Sequence, residues 1–205
     1  MKKLILTTVL ASLTLTGTAF ANTPGMDVSA GQGEIGYSYN SLQTSVGTLG
    51  DVGTMKNNNY QAAYGLNDKF AVTGEYLNSE SKDLYASGYG YYNNFSLNAS
   101  ELGLQYKVNK NVAVSVGNVK SELKANSDSV STNEMFAGVA YKGSVANKVN
   151  SYASYIRSSN VQDWKTGLTY DTGSNIQLDV GYRSFENNDL GIKAKGLGFG
   201  ANYKF

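Results

Sequence analysis

The chain has no cysteine and no histidine, and only one proline, Pro24, in 205 residues. Without cysteine it can form neither a disulfide nor a thiolate metal site, so hydrogen bonds and apolar contact must hold the fold. Without histidine it lacks the commonest base for nucleophilic catalysis and the commonest transition-metal ligand. No enzymatic activity, metal or cofactor is therefore expected. Charge is also sparse and balanced, with 17 Lys and Arg against 16 Asp and Glu. Nucleic-acid binding needs a basic stripe, and none is present. After residue 21 no run of about 18 apolar residues occurs, so no helix is expected to span a membrane.

Glycine (23 residues) and tyrosine (16) are abundant, a composition suited to paired strands. The N-terminus has the three parts of a secretory signal peptide in order. Lys2 and Lys3 precede the largely apolar stretch from Leu4 to Leu15, and Ala19-Phe20-Ala21 is a small-x-small cleavage site. Residues 1–21 are thus expected to be a signal peptide, residues 22–32 a polar periplasmic lead-in, and residues 33–205 the folded domain.

Period-two alternation runs through the folded domain. It is clearest in Gly196-Leu197-Gly198-Phe199-Gly200-Ala201-Asn202-Tyr203-Lys204-Phe205, where every odd position is apolar and every even one is small or polar. The same rhythm places strands near 33–41, 60–66, 70–76, 102–108, 112–116, 135–141, 149–157, 164–170 and 176–182. The count is about ten, or eight if the weakly patterned sixth and seventh strands are set aside. Short turns such as Asn67-Asp68-Lys69 and Asn109-Lys110-Asn111 alternate with longer connections near 42–59, 78–97, 119–131 and 184–192. Gly31-x-Gly33-x-x-Gly36 has dinucleotide-binding spacing. It lacks a preceding strand and a following helix, so it reads as an entry into the first strand.

Alternation alone does not say which face is inside. The non-apolar face carries Gly65, Gly103, Gly117, Gly167, Gly181, Gly198 and Gly200 with Glu75, Glu101, Lys107, Asp163, Lys165, Asp179, Arg183 and Lys204. Small and charged residues suit the inside of a narrow barrel, whereas glycines on a solvated outer face would only weaken strands. Tyr60, Tyr76, Trp164 and Tyr182 gather at one end of the apolar stripes. Tyr64, Phe70, Tyr106, Tyr141, Tyr170 and Tyr203 gather at the other, as aromatic girdles do at lipid headgroups. The expected fold is therefore an all-β, antiparallel transmembrane barrel. Its edges must close, because unpaired backbone groups in hydrocarbon cost several kcal/mol each. Pairing Tyr170 with Ile176 would set Trp164 opposite Tyr182 and Asp163 opposite Arg183, starting an ion-pair ladder in the lumen.

The last strand, with Phe199, Tyr203 and Phe205, resembles the C-terminal strand of bacterial outer-membrane β-barrels, and the hairpin rhythm resembles their small members (OmpA/OmpX/opacity-like or small porins). The resemblance implies that Phe199, Tyr203 and Phe205 serve as an assembly signal. It also implies outer-membrane lipid as the surroundings, with periplasmic chaperones and the barrel-assembly machinery as partners during biogenesis. Two functions fit. The charged, glycine-rich inner face favours a porin-like passive channel for small solutes. The alternative is a surface adhesin or membrane-structural barrel acting through its extracellular loops. For that alternative Tyr85, Tyr89, Tyr91, Tyr92 and Phe95 of the 78–97 connection are the candidate contacts to a host or surface ligand.

Overall fold

A computed structural model describes residues 25–80, 82–86 and 90–205. The expected signal peptide and Tyr89 lie outside the described residues.

Among the described residues eleven strands run in chain order: β1 (Gly33–Val46), β2 (Gly50–Gly65), β3 (Phe70–Ser79), β4 (Lys82–Ala86), β5 (Gly90–Lys107), β6 (Val112–Ala125), β7 (Asp128–Ala146), β8 (Val149–Arg157), β9 (Val161–Asp171), β10 (Ile176–Asn187) and β11 (Ile192–Lys204). Every neighbouring pair is antiparallel. Ten strands make the barrel, and β4 extends the wall above β3 by pairing with the upper part of β5. Closure comes from β3 against β5, Phe70↔Tyr106 to Asn78↔Asn98, and from β1 against β11, Glu34↔Lys204 to Val46↔Ile192. Phe205 and Gly33 exchange backbone hydrogen bonds of 2.9 and 2.8 Å, so the final residue belongs to the sheet.

The apolar stripes face outward. Ile35, Leu102, Val116, Val139, Leu178 and Phe199 are all exposed, while Ser38, Asn59, Glu75, Lys165 and Arg183 are buried. Between the aromatic ends the outward stripes carry no charged residue, as a lipid-facing wall requires. A Lys or Arg at the bilayer midplane of such a wall costs about 2–4 kcal/mol. Of the rings expected at the stripe ends, Tyr60, Tyr76, Trp164, Tyr64, Phe70, Tyr141, Tyr170 and Tyr203 are exposed. Several pack in pairs, among them Phe70–Tyr106 at 5.0 Å and Trp164–Tyr182 at 5.2 Å between centroids.

Two expectations change. Much of what alternation left as long connections is strand: β1 and β2 meet across a three-residue turn, Gly47–Leu49, and Asn126-Ser127 alone joins β6 to β7. The strands rise beyond the apolar belt, where their outer faces meet water. The apolar/polar contrast ends there while the backbone pairing continues. The β9–β10 register is also shifted by two residues: Arg183 lies opposite Lys165 and Phe185 opposite Asp163. The turn is longer than three residues because the Thr172 side chain bonds Ile176 O at 2.8 Å and Asp171 Oδ1 takes the Gly173 N–H at 2.8 Å. A shift of two keeps every side chain on its face, so Asp163 still reaches Arg183 diagonally.

Candidate functional site: a filled interior

Odd positions on β3, on β5 from Phe95 onward, on β9 through Thr169 and on β10 point inward, and this brings Glu75, Glu101, Asp163, Lys165 and Arg183 together at mid-barrel. Arg183 is 1% exposed. Its Nε and Nη2 donate to the two oxygens of Asp163 at 3.0 and 2.8 Å, and Nη1 donates to Glu75 Oε1 at 2.6 Å across the lumen. Lys165 Nζ donates to Glu75 Oε2 at 2.5 Å and lies 3.3 Å from Asp163. Glu101 is held less closely, with its Oε1 3.6 Å from Arg183 Nη2. The bidentate guanidinium–carboxylate geometry is the strong form of this contact. Three of the carboxylates, Glu75, Glu101 and Asp163, offer oxygens within 4.8 Å of one another, a spacing a metal ion could use. Arg183 and Lys165 already pair with Glu75 and Asp163 there, so the cluster reads as an ion-pair network.

Toward the loop side this network is capped by an apolar cluster that includes Leu42, Met55, Leu77, Phe95, Leu97, Val119, Val161, Phe185 and Ile192. Toward the turn side, Tyr152 of β8 lies along the inner wall over β9 and β10 and donates from its hydroxyl to Asp179 at 3.0 Å. It fits because the wall beneath the ring is glycine: Gly167 is its cross-strand partner and Gly181 is the next residue along, on β10. A Cβ on Gly181 would stand 2.4 Å, and one on Gly167 2.7 Å, from that hydroxyl. Gly117 makes the same allowance for the Phe136 ring.

The floor is the lead-in itself. Asp27 Oδ2 accepts from Lys142 Nζ and from Lys204 Nζ, the latter at 2.9 Å, and Lys107 Nζ donates to the Val28 carbonyl. Burial pushes the Asp27 carboxyl up, but the Lys142 and Lys204 ammonium groups outweigh it and hold it below the usual carboxylate range. What space remains beside the ion network is a cavity of about 60 Å³ bordered by Glu75, Glu101, Gln105, Ser115 and Lys165, enough for a few waters.

All eight residues expected to line the lumen, Glu75, Glu101, Lys107, Asp163, Lys165, Asp179, Arg183 and Lys204, point inward. They fill the lumen instead of bordering an open pore. Of the candidate loop contacts, Tyr85 and Tyr91 pair across β4 and β5, and Tyr92 pairs with Leu84. Phe95 is fully buried in the apolar cap, which removes it from any surface contact. Phe199 and Tyr203 face outward beside Phe205. Among the interior residues that the sequence reading does not single out are Lys142, Tyr152 and Asp27. The first two sit at inward positions of weakly patterned strands. Asp27 lies in a segment with no period to place it.

No protein-family model matches the chain, and no curated protein does. Solved structures similar to it include three of bacterial outer-membrane proteins. The attachment invasion locus protein Ail of Yersinia pestis is 14% identical over 86% of this chain and 99% of its own, with a TM-score of 0.42. Neisserial surface protein A is 19% identical over 87% and 100%, at 0.45. The N-terminal barrel domain of Pseudomonas aeruginosa OprF is 11% identical over 87% and 100%, at 0.42. Likenesses this distant carry no functional argument, and the architecture rests on the strand pairings: a closed, ten-stranded antiparallel barrel.

Proposed function

We propose that the protein is a non-conducting outer-membrane barrel that serves as a membrane-embedded scaffold and acts through its loop-side rim. One observation carries this reading: Arg183, buried at mid-lumen, is hydrogen-bonded to Asp163 on the adjacent strand and to Glu75 across the barrel. A solute passing through would have to part those bonds and then the apolar cap above them. Breaking a buried pair of this kind costs about 3–5 kcal/mol. At ten strands a barrel interior is only slightly wider than side chains can fill.

On this reading the contact element is the β4–β5 hairpin, whose tyrosines stand beyond the lipid belt. Tyrosine supplies large contact area at low conformational-entropy cost. The outward belt, together with the resemblance of the last strand, supports an outer-membrane location, export by the N-terminal signal and delivery to the barrel-assembly machinery. Two measurements test the proposal. Refolded protein in planar bilayers is expected to give no discrete conductance steps, and cell or surface binding is expected to fall when Tyr85, Tyr91 and Tyr92 are replaced by serine. Steady ohmic steps from the intact chain would return the reading to a channel.

A further inference from the structure

The turn-side mouth holds the segment Gly25–Gln32 as a groove holds a peptide. Met26 packs on Ala113 of β6 and Ala140 of β7. Val28 packs on Ala63 of β2 and Ala71 of β3. Between these two shallow pockets the Asp27 carboxylate takes both Lys142 of β7 and Lys204 of β11, while Lys107 of β5 takes the Val28 carbonyl. Main-chain bonds extend the contact. Gly31 N–H donates to Gly65 O at 2.8 Å, and Gly65 N–H donates to Gln32 O at 3.0 Å. At the other end, Gly25 has φ +86° and lies so close to Gln105 that a Cβ would stand 2.6 Å from its Oε1.

The three lysines, the alanines and Gly65 belong to the barrel wall, and the segment is tethered to it through β1. The pockets are alanine, so each admits one apolar side chain. The cationic site sits between them, at the spacing of consecutive residues. Lys142 also donates to Gln177 Oε1 at 3.0 Å, while Asp179 takes the Tyr152 hydroxyl.

We propose that this mouth is a peptide-binding groove for an extended segment carrying one acidic residue between two apolar ones, presented from the turn side, and that Met26-Asp27-Val28 fills it in cis. The groove lies at the opposite end from the rim and does not depend on the function proposed above. The tether gives the internal segment an effective concentration in the millimolar range, so a rival in trans binds only when the internal one is weakened.

The test uses the refolded full chain and a labelled synthetic peptide with the sequence of residues 25–32. Asp27→Lys sets a fourth ammonium against Lys107, Lys142 and Lys204 and should expel the segment. This variant is expected to bind the peptide at least about tenfold more tightly than the native chain does. A peptide with asparagine in place of the aspartate should bind about tenfold more weakly, because the lost hydrogen bonds are charge-assisted. If Asp27→Lys does not fold, the double change Met26→Ser and Val28→Ser empties both pockets without altering charge and should show the same gain. Equal binding to native and variant chains would overturn the proposal. So would no binding by a folded variant, or equal binding of the aspartate and asparagine peptides.

Discussion

On each strand that contributes to the mid-barrel ion network, the next inward residues differ in kind between the two directions. Toward the loop side they are Leu77, Ala99 and Leu97, Val161 and Phe185; toward the turn side they are Thr73, Gly103 and Gln105, Gly167 and Thr169, and Gly181 and Asp179. The upper half of the interior thus holds an apolar cluster, with buried Asn40, Asn57, Ser121 and Asn187 set among it. The lower half is a polar chamber closed by a separate piece of chain. The lower half must accept a floor that arrives from outside the wall, so it offers hydrogen bonds and alanine pockets instead of bulk.

The contrast can be broken first at its boundary. Arg183→Ala leaves Glu75 and Asp163 buried without their guanidinium and should cost about 3–5 kcal/mol, read as a lowered urea midpoint of the refolded barrel followed by Trp164 fluorescence. Next, Leu42→Ala opens a cavity in the upper half and should cost about 2–4 kcal/mol in the same assay. A matching truncation in the lower half, Gln105→Ala, should cost less, because that side chain leaves an acceptor unbonded.

Glu101→Gln sharpens the comparison further. Glu101 stands directly opposite Glu75, and Oε1, its oxygen nearest Arg183, makes no hydrogen bond. Neutralising it relieves a like-charge pair, so the change should be within about 1 kcal/mol of neutral, on the stabilising side. The smallest effect is confined to the floor. The depressed Asp27 pKa means its contribution is fully present above the ordinary carboxylate range and is lost as pH falls through the lowered value. Amide exchange of Gly31 and Gly65 should therefore quicken below about pH 4 while that of residues beside Leu42 is unchanged. Uniform quickening at both ends would mean that the halves are one cooperative unit.

How much of this was legible beforehand follows from where a face meets something apolar. Leu102-x-Leu104-x-Tyr106 and its counterparts announce themselves because lipid demands one kind of side chain on alternate residues. Above the belt, in stretches such as Lys120 to Ser131, water accepts anything, and paired strand looked like loop. Facing was recovered for all eight charged lumen residues because parity survives a two-residue slip in register, and the β9–β10 slip was of that size. Whether the lumen was open could not be read from parity. It depends on Arg183 bonding Glu75 from another part of the wall and on Asp27 drawing the lead-in under Lys142 and Lys204, contacts that join residues far apart in the chain.

The seam between β1 and β11 has a further implication. Glu34 meets Lys204 there, so the earliest strand waits for the latest before either has a second neighbour. Any intermediate in which that union is missing exposes two ragged hydrogen-bonding edges and an unsealed floor, since Asp27 needs Lys204 as well as Lys142. Such a molecule has little reason to linger half-made in a membrane. It is either sewn shut or it falls apart.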